Sequence, residues 1–442
     1  MNKGKDGCAM ERNSTIYQAY VRILRRELVC AMGCTEPIAL AYCAAKARAL
    51  LGALPDRILV EASGNIIKNV RSVVVPNTDG RRGIPAAVAI GVLGGDENAL
   101  LQVISHVQPE AKERLADYLT RTPIEVRPLE SEQLLDMIVT VRCGASYARV
   151  RIADRHTQIV LTEKDGRVIE RHEPQSSPAE AADEADDGLL TVRDIYDFAR
   201  TCDTKDVQEL LDRQIRMNTA IAEEGLRHDY GANIGKVLLT TGHDVRTRAR
   251  AVAAAGSDAR MNGCELPVVI CSGSGNQGLT ASLPVIEYAK ELRVDQETLY
   301  RALLVSNLVT LHTKAGIGRL SAFCGAICAG AGAGAGITYL FGGNEKDIAH
   351  TIVNALAISS GIVCDGAKSS CAAKIATAVD TGIFGYEMYK NGQQFYDGDG
   401  LVVKGVGNSI ANFSRLGRIG MRETDREIIS MMTEHKRRDG MK

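Results

Sequence analysis

The chain has 442 residues, too many for one ordinary core and suited to two domains, at roughly 100 to 200 residues each. A formal net charge of -1 excludes the global basic field that gathers phosphates, so nucleic acid is not an expected partner. Twelve cysteines, no Trp and a polar start over Met1–Thr15 point to a cytoplasmic chain whose thiols are reduced, buried, catalytic or metal-bound.

Residues 16–51 carry apolar positions at helical spacing, interrupted by Gly33 and Pro37 in CAMGCTEPIALAY. One helix is expected to end near Met32. Another starts at Thr35, an N-cap type, with Pro37 in its first turn, and this leaves Cys34 at a helix N-terminus. Arg57–Ala62 and Val70–Val75 read as strands flanking the loop SGNIIKN, and the turn PNTDG follows. An apolar helix is expected over Ile84–Leu93 and a longer one over about Ala99–Thr120. From Ile124 to Glu170 the short runs IEVRPL, MIVTVRC, YARVRI and TQIVLTE form an antiparallel meander that ends in the hairpin signal Lys164-Asp165-Gly166.

These elements make residues 1–172 an N-terminal α+β domain. Residues 173–188, acidic and proline-bearing, are the expected linker. Residues 189–442 are the expected catalytic domain and mainly α-helical, so the fold class is α+β. Its glycine-rich loops SGSGNQG, HTKAGIGRLSAFCG, GIVCDGAKSSC and YDGDGLVVKGVG are where chemistry is expected, because glycine lets a backbone approach a ligand closely. The run Gly325–Gly343 reaches membrane-spanning length but is mostly Gly and Ala, so it reads as a tightly packed internal helix and no membrane partner is expected.

Cys364 and Cys371 share a loop of small residues, and Cys324 precedes the Gly-Ala helix. Three such thiolates could bind three irons of a cubane and leave the fourth open as a Lewis acid. By spacing alone, inert core thiols are an equal alternative, and Cys328, one turn on, could replace Cys324. Cys34 gains thiolate character from a helix N-terminus and is a candidate general base or nucleophile, with Glu36 as the alternative base and a plain buried thiol as the bland role. Asn65, Lys68 and Asn69, then Asn77 and Thr78, then Ser274, Asn276 and Gln277 offer hydrogen bonds to a substrate carboxylate or ammonium, although turn formation alone would account for each. Lys368 is a further substrate-binding candidate, while His312 and Lys314 could orient a substrate or simply be structural.

Together GCTEPIALAY, SGNIIKNV, PNTDG, SGSGNQGLTASLPV, SAFCGA, GIVCDGAKSSCAAK and GDGLVVKGVGNSIANFSRLGRIGM resemble the L-cysteine desulfidase family, distantly similar to the alpha chain of iron-sulfur L-serine dehydratases. The resemblance spans almost the whole chain. It implies a [4Fe-4S] cluster held by Cys324, Cys364 and Cys371, with Cys34 at the active site, and conversion of L-cysteine to pyruvate, ammonia and hydrogen sulfide. The Ser-rich motif that serine dehydratases carry in a separate regulatory-type domain is absent, which shifts the expected substrate towards cysteine. L-serine dehydration, or another small amino-acid ammonia-lyase activity, is the near alternative. A pyridoxal-phosphate lyase using Lys368 or Lys374 is another, and a non-catalytic amino-acid-sensing or iron-binding protein is the alternative of a different class. The implied partner is a small amino acid, with a homodimer left open.

Overall fold

The computed structural model describes residues 10–172, 183, 185–318 and 320–439. Its architecture is α+β. Six strands form one mixed sheet in the order β3-β2-β4-β5-β6-β7: β2 is Arg57–Ala62, β3 Ile124–Pro128, β4 Asp136–Cys143, β5 Ser146–Ala153, β6 Ile159–Lys164 and β7 Arg167–Arg171. From β4 to β7 the strands form an antiparallel meander, but the run IEVRPL expected to begin it is β3, which sits at the sheet edge and pairs parallel with β2 instead of joining β4. The last hairpin turns through Asp165 (φ 49°) and Gly166 (φ 81°), the pair of positive dihedrals that such a turn requires. The helix Thr35–Leu51 lies on β4 and β5, and the helix Gly83–Gly94 packs on that helix in turn.

The remainder is helical. Its centre is the helix Gly325–Leu340, in contact with Gly275–Leu292, Gln296–Ala315, Glu345–Ser359 and Cys371–Lys390. Alternating Gly and Ala make this possible: a Cβ at Gly330 would stand 2.2 Å from the Ala378 carbonyl, and one at Gly334 would stand 2.4 Å from that of Gly382. Among the described residues no helix is long and apolar enough to cross a membrane.

Three further local expectations change. Cys30–Met32 (β1) is a strand rather than the end of a helix, because it pairs antiparallel with Pro267–Val269 (β8); the first helix covers Thr15–Glu27. SGNIIKN is not a loop before a strand: Gly64–Val70 is a helix that buries Ile66 and Val70. The long helix expected from Ala99 is a 3₁₀ turn over Leu100–Gln102 followed by a helix over Pro109–Arg121, since Pro109 sits at a helix start where its missing N–H is harmless. Most of the linker expected over 173–188 (173–182 and 184) lies outside the described residues. Beyond those, Asp183 forms ion pairs with Arg26 and Arg155, Asp186 with Arg22 and Asp187 with Arg26.

Candidate functional site

The β1–β8 pairing carries the N-terminal segment to the helical half, where one cavity of about 120 Å³ opens between them. Cys34 is the N-cap of the helix Thr35–Leu51, and its side chain makes no capping bond. Gly33 before it is left-handed (φ 67°) and lies so close to the Pro76 ring that a Cβ would be 2.7 Å from it. Across the cavity, Phe323 and Val363 form an antiparallel bridge: the Cys364 N–H donates to the Ala322 carbonyl at 2.6 Å, and the Cys324 N–H to that of Ile362 at 3.2 Å. That bridge makes Cys324 and Cys364 neighbours although they come from different segments. Cys371 opens the next helix, and the loop leading to it passes Gly366, where a Cβ would stand 2.4 Å from the Lys68 carbonyl.

Of the residues singled out from sequence, Cys34, Glu36, Asn69, Ser274, Asn276, Gln277, Cys324, Cys364 and Cys371 all line this cavity. Cys328 is fully buried in the helix behind it and is not part of the lining. Other candidates are turned to structural partners. Lys68 pairs with Asp425, and the Asn65 amide donates to the same carboxylate at 2.9 Å. Asn77 donates to the Ile104 carbonyl at 2.7 Å, and the Thr78 hydroxyl to that of Val75 at 2.7 Å, as turn residues do. Lys368 is paired with Asp365, and His312 is outside the lining, with burial lowering its pKa to about 4.

Electrostatics divide the remaining groups. Burial opposes a charge on Glu36, but the His156 imidazole and the backbone at the helix start outweigh it, and the carboxyl is held down to about 2. Its Oε1 accepts from the Asn69 amide at 3.0 Å and its Oε2 from the Thr35 hydroxyl at 3.1 Å; His156 stands 4.0 Å away, near enough for attraction but too far for a hydrogen bond. Cys34 differs from the expectation of a helix-end thiolate. Burial among Val73, Met261, Ala367 and Cys371 pushes its thiol up to about 12, and neither the helix end nor Arg260 overcomes this. Burial, then repulsion from Cys364, likewise holds Cys324 up to about 12.

Such thiols are neutral unless a metal takes the place of their protons, which is how metal affinity is coupled to pH. Among the described residues no three His, Cys, Asp or Glu side chains are gathered so as to hold a single metal ion. Cluster ligands each take a different iron and stand further apart, so Cys324, Cys364 and Cys371 around one cavity fit a cubane in number and in chemistry. Lys374 also lines the cavity, paired with Asp365 and donating to the Val363 carbonyl at 2.8 Å, so a positive charge lies beside the thiols.

Arg260, in the last turn of the helix Val245–Met261, also lines the cavity and was not anticipated. The Ala-rich run ARAVAAAGSDARMNG carries two guanidiniums, Arg250 and Arg260, and nothing in it separates the one that faces the cavity from an ordinary exposed helix face.

The chain belongs to the serine dehydratase alpha chain family, which it matches over residues 98–430. Full-length relatives are also similar. The chain is 59% identical to a UPF0597 protein of Desulfitobacterium hafniense, over 96% of this chain and 98% of that one. It is 50% identical to a UPF0597 protein of Lachnoclostridium phytofermentans (94% and 100% covered) and 42% identical to one of Treponema denticola (96% and 99% covered).

Proposed function

We propose that this protein is an iron-sulfur-dependent lyase that eliminates sulfide from L-cysteine, giving pyruvate, ammonia and hydrogen sulfide. The observation that carries the reading is four thiols and the Glu36 carboxyl group around one small cavity. Cys324, Cys364 and Cys371 would hold a [4Fe-4S] cluster, whose iron without a protein ligand supplies Lewis acidity towards the β-substituent of the substrate.

The chain's own groups handle the protons. Glu36, fixed by Asn69 and Thr35, is the acceptor for the α-hydrogen. Substrate that displaces water from the cavity adds to the desolvation that already opposes its charge, and so raises its basicity. The electron pair of the Cα–H bond becomes the Cα–Cβ double bond, the Cβ–S pair leaves with sulfide, and the resulting aminoacrylate is hydrolysed by water. Cys34, protonated at neutral pH, is a donor to the leaving sulfide rather than the base. Leu320, Phe323 and Ile375 line the cavity and limit its water.

Anaerobically reconstituted protein, incubated with L-cysteine and assayed for sulfide and pyruvate, tests the reading. Neither product forming despite bound iron would favour an amino-acid sensor and defeat the lyase. The family match favours a second reading, L-serine dehydration; faster pyruvate formation from L-serine than from L-cysteine would select it. Glu36→Gln is expected to lower turnover by roughly 10²- to 10⁴-fold with iron content unchanged. Cys364→Ala is expected to lose iron, measured by metal analysis.

A further inference from the structure

Arg260 is 2% exposed, and among the described residues no Asp or Glu carboxylate lies within ion-pair distance of it. One terminal nitrogen donates to the Asn276 side-chain oxygen at 3.1 Å, while its Nε has no acceptor. A buried guanidinium that no carboxylate reaches at ion-pair distance, with Glu36 acting on it only at longer range, is costly, so a cavity that retains one is prepared for an anion. The guanidinium is pressed against Gly275, where a Cβ would stand 2.2 Å from Nε, so only glycine admits it there.

The same corner holds the start of the 18-residue helix Gly275–Leu292. Ser274 at the N-cap makes no side-chain capping bond, so the first-turn N–H groups, at the positive end of the helix dipole, lack the usual partner. Ser274, Asn276 and Gln277 face the cavity together with Arg260.

We propose that Arg260 and the first turn of the Gly275–Leu292 helix form the receptor for the substrate α-carboxylate, which makes a free carboxylate a condition of binding. The inference rests on the amino-acid lyase reading and extends it. A carboxylate matches the planar guanidinium and the N–H groups beside it. Anchored there, a small amino acid spans the same cavity that Glu36 and the three cysteines line, so one ionic contact selects α-amino acids over simple amines and thiols.

Calorimetric titration of the reconstituted full chain tests this without turnover. L-alanine has no β-leaving group, and ethylamine is the same molecule without its carboxylate. The wild type is expected to bind L-alanine at least roughly 30-fold more tightly than ethylamine. Arg260→Gln should abolish that preference, and Arg260→Lys, which keeps the charge but loses the fork, should weaken L-alanine binding by roughly 10-fold. Circular dichroism and melting would verify folding; if the Gln variant does not fold, the Lys variant and the wild-type preference carry the test. Wild-type preference for L-alanine with unchanged affinity in a folded Arg260 variant would overturn the assignment and leave the lyase reading intact. Equal binding of both ligands would overturn the carboxylate receptor. Binding of neither would overturn both the receptor and the amino-acid reading beneath it.

Discussion

Asp258 sits two residues before Arg260, buried at 1% exposure. Its Oδ2 accepts from the Gly235 N–H at 3.1 Å, and its Oδ1 has no donor. Burial raises its pKa to about 6 against the pull of the Gly235 and Ile234 N–H groups, so the folded chain holds this proton more tightly than an unfolded carboxyl of ordinary pKa 3.8. The sign follows from linkage. Protonated Asp258 favours the folded state below about pH 4, and that advantage is lost as pH rises through about 6, at most about 3 kcal/mol for a shift of about two units. Asp258→Asn should therefore gain melting temperature relative to the wild type as pH rises from 4 to 7. Parallel curves for the two proteins across that range would show that Asp258 does not titrate in this way.

Helix packing around the site depends on backbone contact. The helices Gly325–Leu340 and Cys371–Lys390 cross where a Cβ on Gly382 would stand 2.0 Å from the Gly330 carbonyl. Because Cys324 and Cys371 begin or flank those helices, separating them also moves two thiols. Gly382→Ala should cost about 1–3 kcal/mol or more and lower bound iron, read from melting and metal analysis. Gly407→Ala, where nothing lies within 4 Å of the new methyl, should leave stability unchanged or slightly raise it. The Gly-Ala composition made this packed helix legible in sequence, and the alternating runs of β4 to β6 with the hairpin signal after them did the same for the meander, whereas the parallel pairing of β3 with β2 left no local mark. β1 was illegible because three residues carry no period and exist as a strand only through pairing with β8. The helix Gly64–Val70 was hidden for a different reason: its Ser, Gly and Asn content is turn vocabulary, and burial of Ile66 and Val70 overrides it. At the cavity, the cysteine loops were visible through their glycines. The high pKa of Cys34 and the exposure of Arg260 to the cavity depend on segments far apart in the chain, so no local pattern encodes them.

Across the whole molecule, the C-terminal helix Arg422–Asp439 is tied to the site through one carboxylate. Asp425 accepts from Lys68 and from Asn65, and the helix carrying those two residues also carries Asn69, which holds Glu36. Lys68 is 1% exposed in its side chain and Asp425 10%, so the pair is desolvated and its geometry is fixed by packing, including Ile429 against Gly64. Removing one partner leaves the other charge buried, which costs about 3–5 kcal/mol, whereas replacing both by apolar groups of similar volume is close to neutral. Asp425→Ala should therefore lower the melting temperature and turnover together, because the helix Gly64–Val70 loses its anchor and Asn69 its position on Glu36. The double change Lys68→Met with Asp425→Leu should recover most of the stability. If it also recovers turnover, the pair acts only as a packing anchor. Continued loss of turnover at restored stability would instead show that the charge on Lys68, beside the loop bearing Cys364 and Cys371, is needed for the reaction itself.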